Sequence, residues 1–204
     1  MIGTLRNLTS DKELKKFTRP LSEVSSFFQE GVSPEVLKQI RQVLVRNLQQ
    51  DPSLAKIKVV PTPGFPGGYF PRRDLIALGV SNPAVMAHEL GHAKNLRKAQ
   101  LYDKLIAATQ SLARLNTIVS LPVTLAIKAL VRNSDTQREV FNILSGTSAA
   151  LAAPALSEEL GASMEAIKEA PDKLQALKTL IPAFLTHVAT SAFPVAIYQS
   201  GKLL

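Results

Sequence analysis

Cysteine is absent from this 204-residue chain, which excludes disulfide scaffolds, thiolate zinc ribbons, iron–sulfur clusters and cysteine nucleophiles. Without thiols the composition leaves the cellular compartment open. Tryptophan is absent too, and 3 tyrosines are too few for a base-stacking platform on single-stranded nucleic acid. The first twenty residues lack a continuous apolar run, so no secretory signal peptide is expected. Gly3 is not at the position that N-myristoylation needs. What remains is 46% hydrophobic and 20% charged, too apolar for a disordered chain and long enough to bury a core.

Charge is unevenly placed. Residues 1–110 hold 16 basic and 9 acidic side chains, whereas residues 111–204 hold 8 and 7. The first part reads as basic and soluble, the second as apolar with short charged breaks. The basic residues Lys12, Lys15, Lys16, Arg19, Lys38, Arg41 and Arg46 are scattered rather than gathered with aromatics. They suit a solvated face or anionic lipid head groups better than a nucleic acid, which is not expected as a partner.

Ser33-Pro34-Glu35 starts a helix, with a hydroxyl cap, proline in the first turn and a carboxylate at the positive dipole end. Val36, Leu37, Ile40, Val43, Leu44 and Leu48 continue it at helical spacing to about Gln50. Lys56 to Val60 reads as a short strand, Pro61 to Gly68 as a loop, and Asp74 to Val80 as a second strand. Ser81-Asn82-Pro83 caps a helix expected from Pro83 to about Gln100. Charge is missing from residues 115–127 and 140–157, and from 179–201 apart from a histidine. The last run is long enough to span a bilayer, although Pro182, His187 and Pro194 interrupt it. Localisation is therefore expected to be membrane-associated or cytoplasmic.

The residues with chemical content are His88-Glu89-Leu90-Gly91-His92. On a helix, positions four apart share a face, so His88 and His92 can both direct a ring nitrogen at one Zn2+ ion. Glu89, beside the first of them, can take a proton from a water that the ion acidifies. Gly91 leaves room for another element to pack closely. A catalytic zinc wants a third protein ligand. His187 is the only other histidine, and within an apolar run it reads as a core residue rather than a proton donor. A carboxylate is the better candidate, and Ser157-Glu158-Glu159 opens a helix over 157–170 that supplies two. On spacing alone either glutamate serves.

The motif, the strand before it, the apolar helices and the Glu-x-x-Ala-Ser run resemble the neutral zinc metallopeptidases of bacterial membranes. More distantly, they resemble the membrane-associated gluzincins that carry Glu-x-x-x-Asp. Gly68-Tyr69-Phe70-Pro71 and Asp74-Leu75-Ile76-Ala77-Leu78 extend the likeness, which covers about residues 56–100 and 150–170. The resemblance implies His88, His92 and Glu159 as zinc ligands and Glu89 as general base. It places Ser163 where the distant relatives have an aspartate that orients a ligand histidine. Tyr69 and His187 are candidates for donors to an oxyanion. In zincins the strand preceding the motif helix is the edge with which an extended substrate pairs.

The expectation is one α+β, predominantly α domain over 1–204, with a zincin-like small sheet beside the motif helix and an apolar helical bundle. Its stretches are a helical segment 1–55, the strands and motif helix 56–110, and apolar helices 111–204. The expected activity is zinc-dependent hydrolysis of a peptide or protein substrate. Part of residues 1–55 could cover the cleft in a precursor form. The alternative is a structural or membrane-interacting component of a larger assembly, such as a virion, with a relic or structural zinc site.

Overall fold

The computed structural model describes residues 33–62, 67–79, 82–98 and 100–203. The chain is predominantly helical with one small sheet, and it divides into two compact units. Among the described residues the first takes in 33–96 and 162–180, and the second 97–161 and 181–203.

The first unit begins with α1, Pro34–Gln50. Ser33 Oγ accepts from the Val36 N–H at 3.3 Å, as the cap signal requires. Ile40, Val43, Leu44 and Leu48 are buried in the core, each fully buried Leu or Ile contributing about 1.5–3 kcal/mol. α1 is therefore structural, and a covering segment would have to come from residues 1–32, which lie outside the described residues. Asp51 ends the helix and accepts from the Ser53 N–H at 3.0 Å, starting a 3-10 turn over Pro52–Lys56. This turn pushes the first strand later than expected, to β1 at Lys58–Pro61.

Two more strands follow, β2 at Gly68–Phe70 and β3 at Leu75–Leu78. The order is β1-β3-β2: Lys58 to Pro61 run parallel to Leu75 to Leu78, and Gly68 to Phe70 run antiparallel to Ala77 to Leu75. The strand preceding the motif helix is thus central and paired on both sides, not an edge. Asp74 makes the turn into it in the left-handed region, φ 50°, which aspartate tolerates better than most residues.

Helix α2 spans Pro83–Lys98. Asn82 caps it, with Oδ1 accepting from the Ala84 N–H at 2.8 Å, while Asn82 Nδ2 donates to Thr179 Oγ1 at 3.1 Å. Met86, Leu90 and Ala93 join the core of α1 and the sheet, as do Ala166 and Ala170.

Three long helices complete the chain: α3 at Gln100–Leu130, α4 at Ser134–Glu169 and α5 at Lys173–Gly201. α4 runs without a break, so Ser157 does not open a helix. The glutamate segment is the continuation of the apolar one, because nothing between 140 and 157 can stop it except Pro154, which the helix absorbs. In the second unit Asn116 ties the helices together. It donates to Ser148 Oγ at 2.7 Å and accepts from the Tyr198 hydroxyl at 3.0 Å. By length and composition, Lys104–Leu130, Ser134–Glu169 and Lys173–Gly201 are each able to cross a membrane, and the chain is compatible with membrane association.

Candidate metal centre

His88 and His92 lie one turn apart on α2, and their Nε2 atoms face each other at 3.0 Å. The rings meet edge to face, centroids 4.5 Å apart. Two nitrogens held tetrahedrally at roughly 2.0–2.1 Å from one zinc ion would be roughly 3.3 Å apart, so the pair is already spaced for a shared cation. His88 Nδ1 is 3.3 Å from Ser163 Oγ on α4, the position expected to orient a ligand histidine.

The contact between α2 and α4 is made by their smallest residues. A Cβ at Gly91 would stand 3.1 Å from Ala162 Cα and 3.2 Å from its carbonyl oxygen, so only glycine allows this approach. Glu159 sits one turn before Ser163 on the same uninterrupted helix. One donor atom from each of His88, His92 and Glu159 lies within 4.8 Å of the others. That span is wider than the ligand spacing of a closed zinc site. Two imidazoles and one carboxylate are a zinc-type donor set, and the residues fit such an ion. Glu158, about 100° away around the helix, is not part of the group.

Glu89 is buried, 5% exposed. Gly67 lies against it: a Cβ there would come within 3.0 Å of Glu89 Oε1 and 2.8 Å of Val85 Cγ1, and the φ of +151° also demands glycine. The Gly67-Gly68 pair is visible in the sequence, but as a phosphate cradle it has no following helix with a Lys-Ser/Thr pair. Its actual partner is a carboxylate 22 residues further on.

Tyr69 is on β2, and its hydroxyl donates to Asp74 Oδ1 at 3.1 Å. His187 is not a core residue. Its side chain is 55% exposed, with Nε2 at 3.7 Å from Glu159 Oε1 on α4.

A polar chain built on a buried lysine was not foreseen. Lys94, 3% exposed and two residues after His92, donates to Gln50 Oε1 at 2.8 Å and Glu165 Oε1 at 3.1 Å. Gln50 Nε2 donates to Glu169 Oε1 at 3.0 Å, and Arg46 Nη1 donates to the Glu169 carbonyl at 3.1 Å. These bonds clamp α1 and α2 to the end of α4. A lysine on a helix normally signals solvent, so no sequence pattern announces this one.

Comparison with protein-family models, curated proteins and solved structures gives no match to this chain.

Proposed function

We propose that the chain is a membrane-associated, zinc-dependent metallopeptidase with His88, His92 and Glu159 as the metal ligands. The observation that carries this reading is the convergence of those three donors within 4.8 Å, with the buried carboxylate of Glu89 on the same helix. A bound zinc ion supplies Lewis acidity, which acidifies water and polarises a peptide carbonyl. Glu89 takes the proton from the attacking water and returns it to the departing amine. The missing side chain at Gly67 leaves room for the Glu89 carboxylate, and Ser163 steadies the His88 ring.

A structural zinc protein is the second reading, and Ser163 favours it. A hydroxyl at 3.3 Å orients an imidazole less firmly than a carboxylate would.

Elemental analysis of the purified chain beside Glu159→Ala and Glu89→Gln variants separates these readings. A metallopeptidase carries one zinc per chain, weakened or lost in Glu159→Ala. Glu89→Gln keeps fold and zinc while hydrolysis of an unstructured protein falls by roughly 10²–10⁴ or more. Bound zinc without any hydrolysis supports the structural reading. No zinc, either as purified or after addition, ends both.

A further inference from the structure

Apart from the buried Ile106 and Phe141, the second unit has its polarity reversed. Ser120, Thr124, Ser145, Ser148 and Tyr198 are buried in it, and Asn116 bridges the last two. Large apolar side chains face outward instead: Leu115, Ile118, Leu121 and Leu125 on α3, Ile143 on α4 and Phe193 on α5, with Ile118 74% exposed. A water-soluble bundle buries the second set and displays the first. In hydrocarbon the preference inverts, since small and hydroxyl-bearing residues pack helices together and leucine is at home outside.

The outward hydroxyls obey the same rule. Ser111, Thr186 and Thr190 are exposed, yet each donates to a carbonyl of its own helix: Ala107 at 2.8 Å, Pro182 at 2.9 Å and Thr186 at 2.8 Å. A medium that offers no hydrogen bonds requires this internal satisfaction.

Length agrees as well. At ~1.5 Å per residue the runs 140–157 and 179–201, free of Asp, Glu, Lys and Arg, cover ~27 and ~35 Å, against ~30 Å for a hydrocarbon core. On α3 the uncharged run 115–127 is shorter, ~20 Å, and Arg114 and Lys128 bracket it. Their long stems let the charges reach outward from both ends.

We propose that the second unit spans a lipid bilayer three times, with its polar seam inside and its leucine-rich surface against the acyl chains. A second copy of the chain would cover one face, whereas the exposed apolar side chains belong to all three helices. Lys168, Lys173 and Lys178 flank the turn at 170–172, with Arg97 and Lys104 at the start of the first span. Arg114 adds to that side, and Lys128, Arg132, Arg138 and Lys202 mark the opposite ends. The excess of basic residues assigns the 170–172 turn to the cytoplasmic side. The proposal does not depend on the zinc reading.

The cysteine-free chain makes the test direct. Single substitutions Ser134→Cys, Gln175→Cys and Ile118→Cys, each in the full chain, are probed in sealed membrane vesicles with an impermeant maleimide. Ser134→Cys and Gln175→Cys are expected to label from opposite faces, with about a tenfold preference each. Ile118→Cys should label from neither face until the membrane is dissolved and the chain denatured. Labelling of Ser134→Cys and Gln175→Cys from one face, or ready labelling of Ile118→Cys from either, overturns the proposal. The unsubstituted chain provides a check free of folding defects. It should stay with membranes at alkaline pH and leave only in detergent. Release as a water-soluble monomer or oligomer overturns the proposal equally.

Discussion

Gly91 on α2 meets Ala162 on α4 backbone to backbone: a Cβ at position 91 would stand 3.1 Å from Ala162 Cα and 3.4 Å from its Cβ. Helix propensity alone would make Gly91→Ala stabilising by up to about 1 kcal/mol. The obstruction is backbone, which cannot swing aside, so overpacking should win and Gly91→Ala should lose about 1–3 kcal/mol. Chemical denaturation followed by circular dichroism measures the sign. A gain in stability would mean that the two helices separate at little cost.

Gly67 is constrained twice, by its φ of +151° and by the Glu89 carboxylate. Gly67→Ala should therefore displace Glu89 while leaving His88 and His92 alone. The expected outcome is zinc binding within about twofold of the parent with hydrolysis reduced by about tenfold or more, since small misplacements of a base are costly. Zinc titration alongside a peptidase assay distinguishes this from general misfolding, which would lower both.

Lys94→Met removes a buried cation and leaves Gln50 and Glu165 without their donor. Because the Glu165 side chain is 34% exposed and can turn to water, the loss should be about 1–3 kcal/mol rather than the full cost of an isolated buried charge. Glu165→Gln keeps an acceptor and should cost less. Urea unfolding of the two variants gives the order. Equal losses would show that charge, not hydrogen bonding, holds the contact.

Asn116→Ala breaks both bonds of the three-helix bridge and strands the Tyr198 hydroxyl, whose residue is 1% exposed. Interhelical hydrogen bonds in apolar surroundings contribute about 0.6–1.7 kcal/mol each, so a loss of about 1–3 kcal/mol is expected. Denaturation in detergent micelles measures it, and Tyr198→Phe, which removes one bond only, should lose about half as much.

Much of the first unit was readable from residues close together in the chain. The Ser33 and Asn82 caps, the helical spacing from Val36 to Leu48, and the pairing of His88 with His92 depend on atoms within about one helical turn. The charge-free runs likewise marked apolar helices, which the structure joins into three long ones. The break expected at Ser157 was not real, because a change from apolar to acidic residues alters a helix's surroundings without interrupting its hydrogen bonds.

The amino-acid order by itself determined the helices, the metal-type motif and the lengths of the apolar runs, because capping, periodicity and charge-free stretches act locally. Tertiary structure alone decided which strand is central, since β3 takes its partners from β1 and β2 across separate loops. It placed Glu159, and not Glu158, near His88 and His92 through helix phase. It also buried Lys94 and moved His187 to the surface. Each outcome depends on which side chain is brought opposite which across many residues of chain, and local preferences carry no information about that.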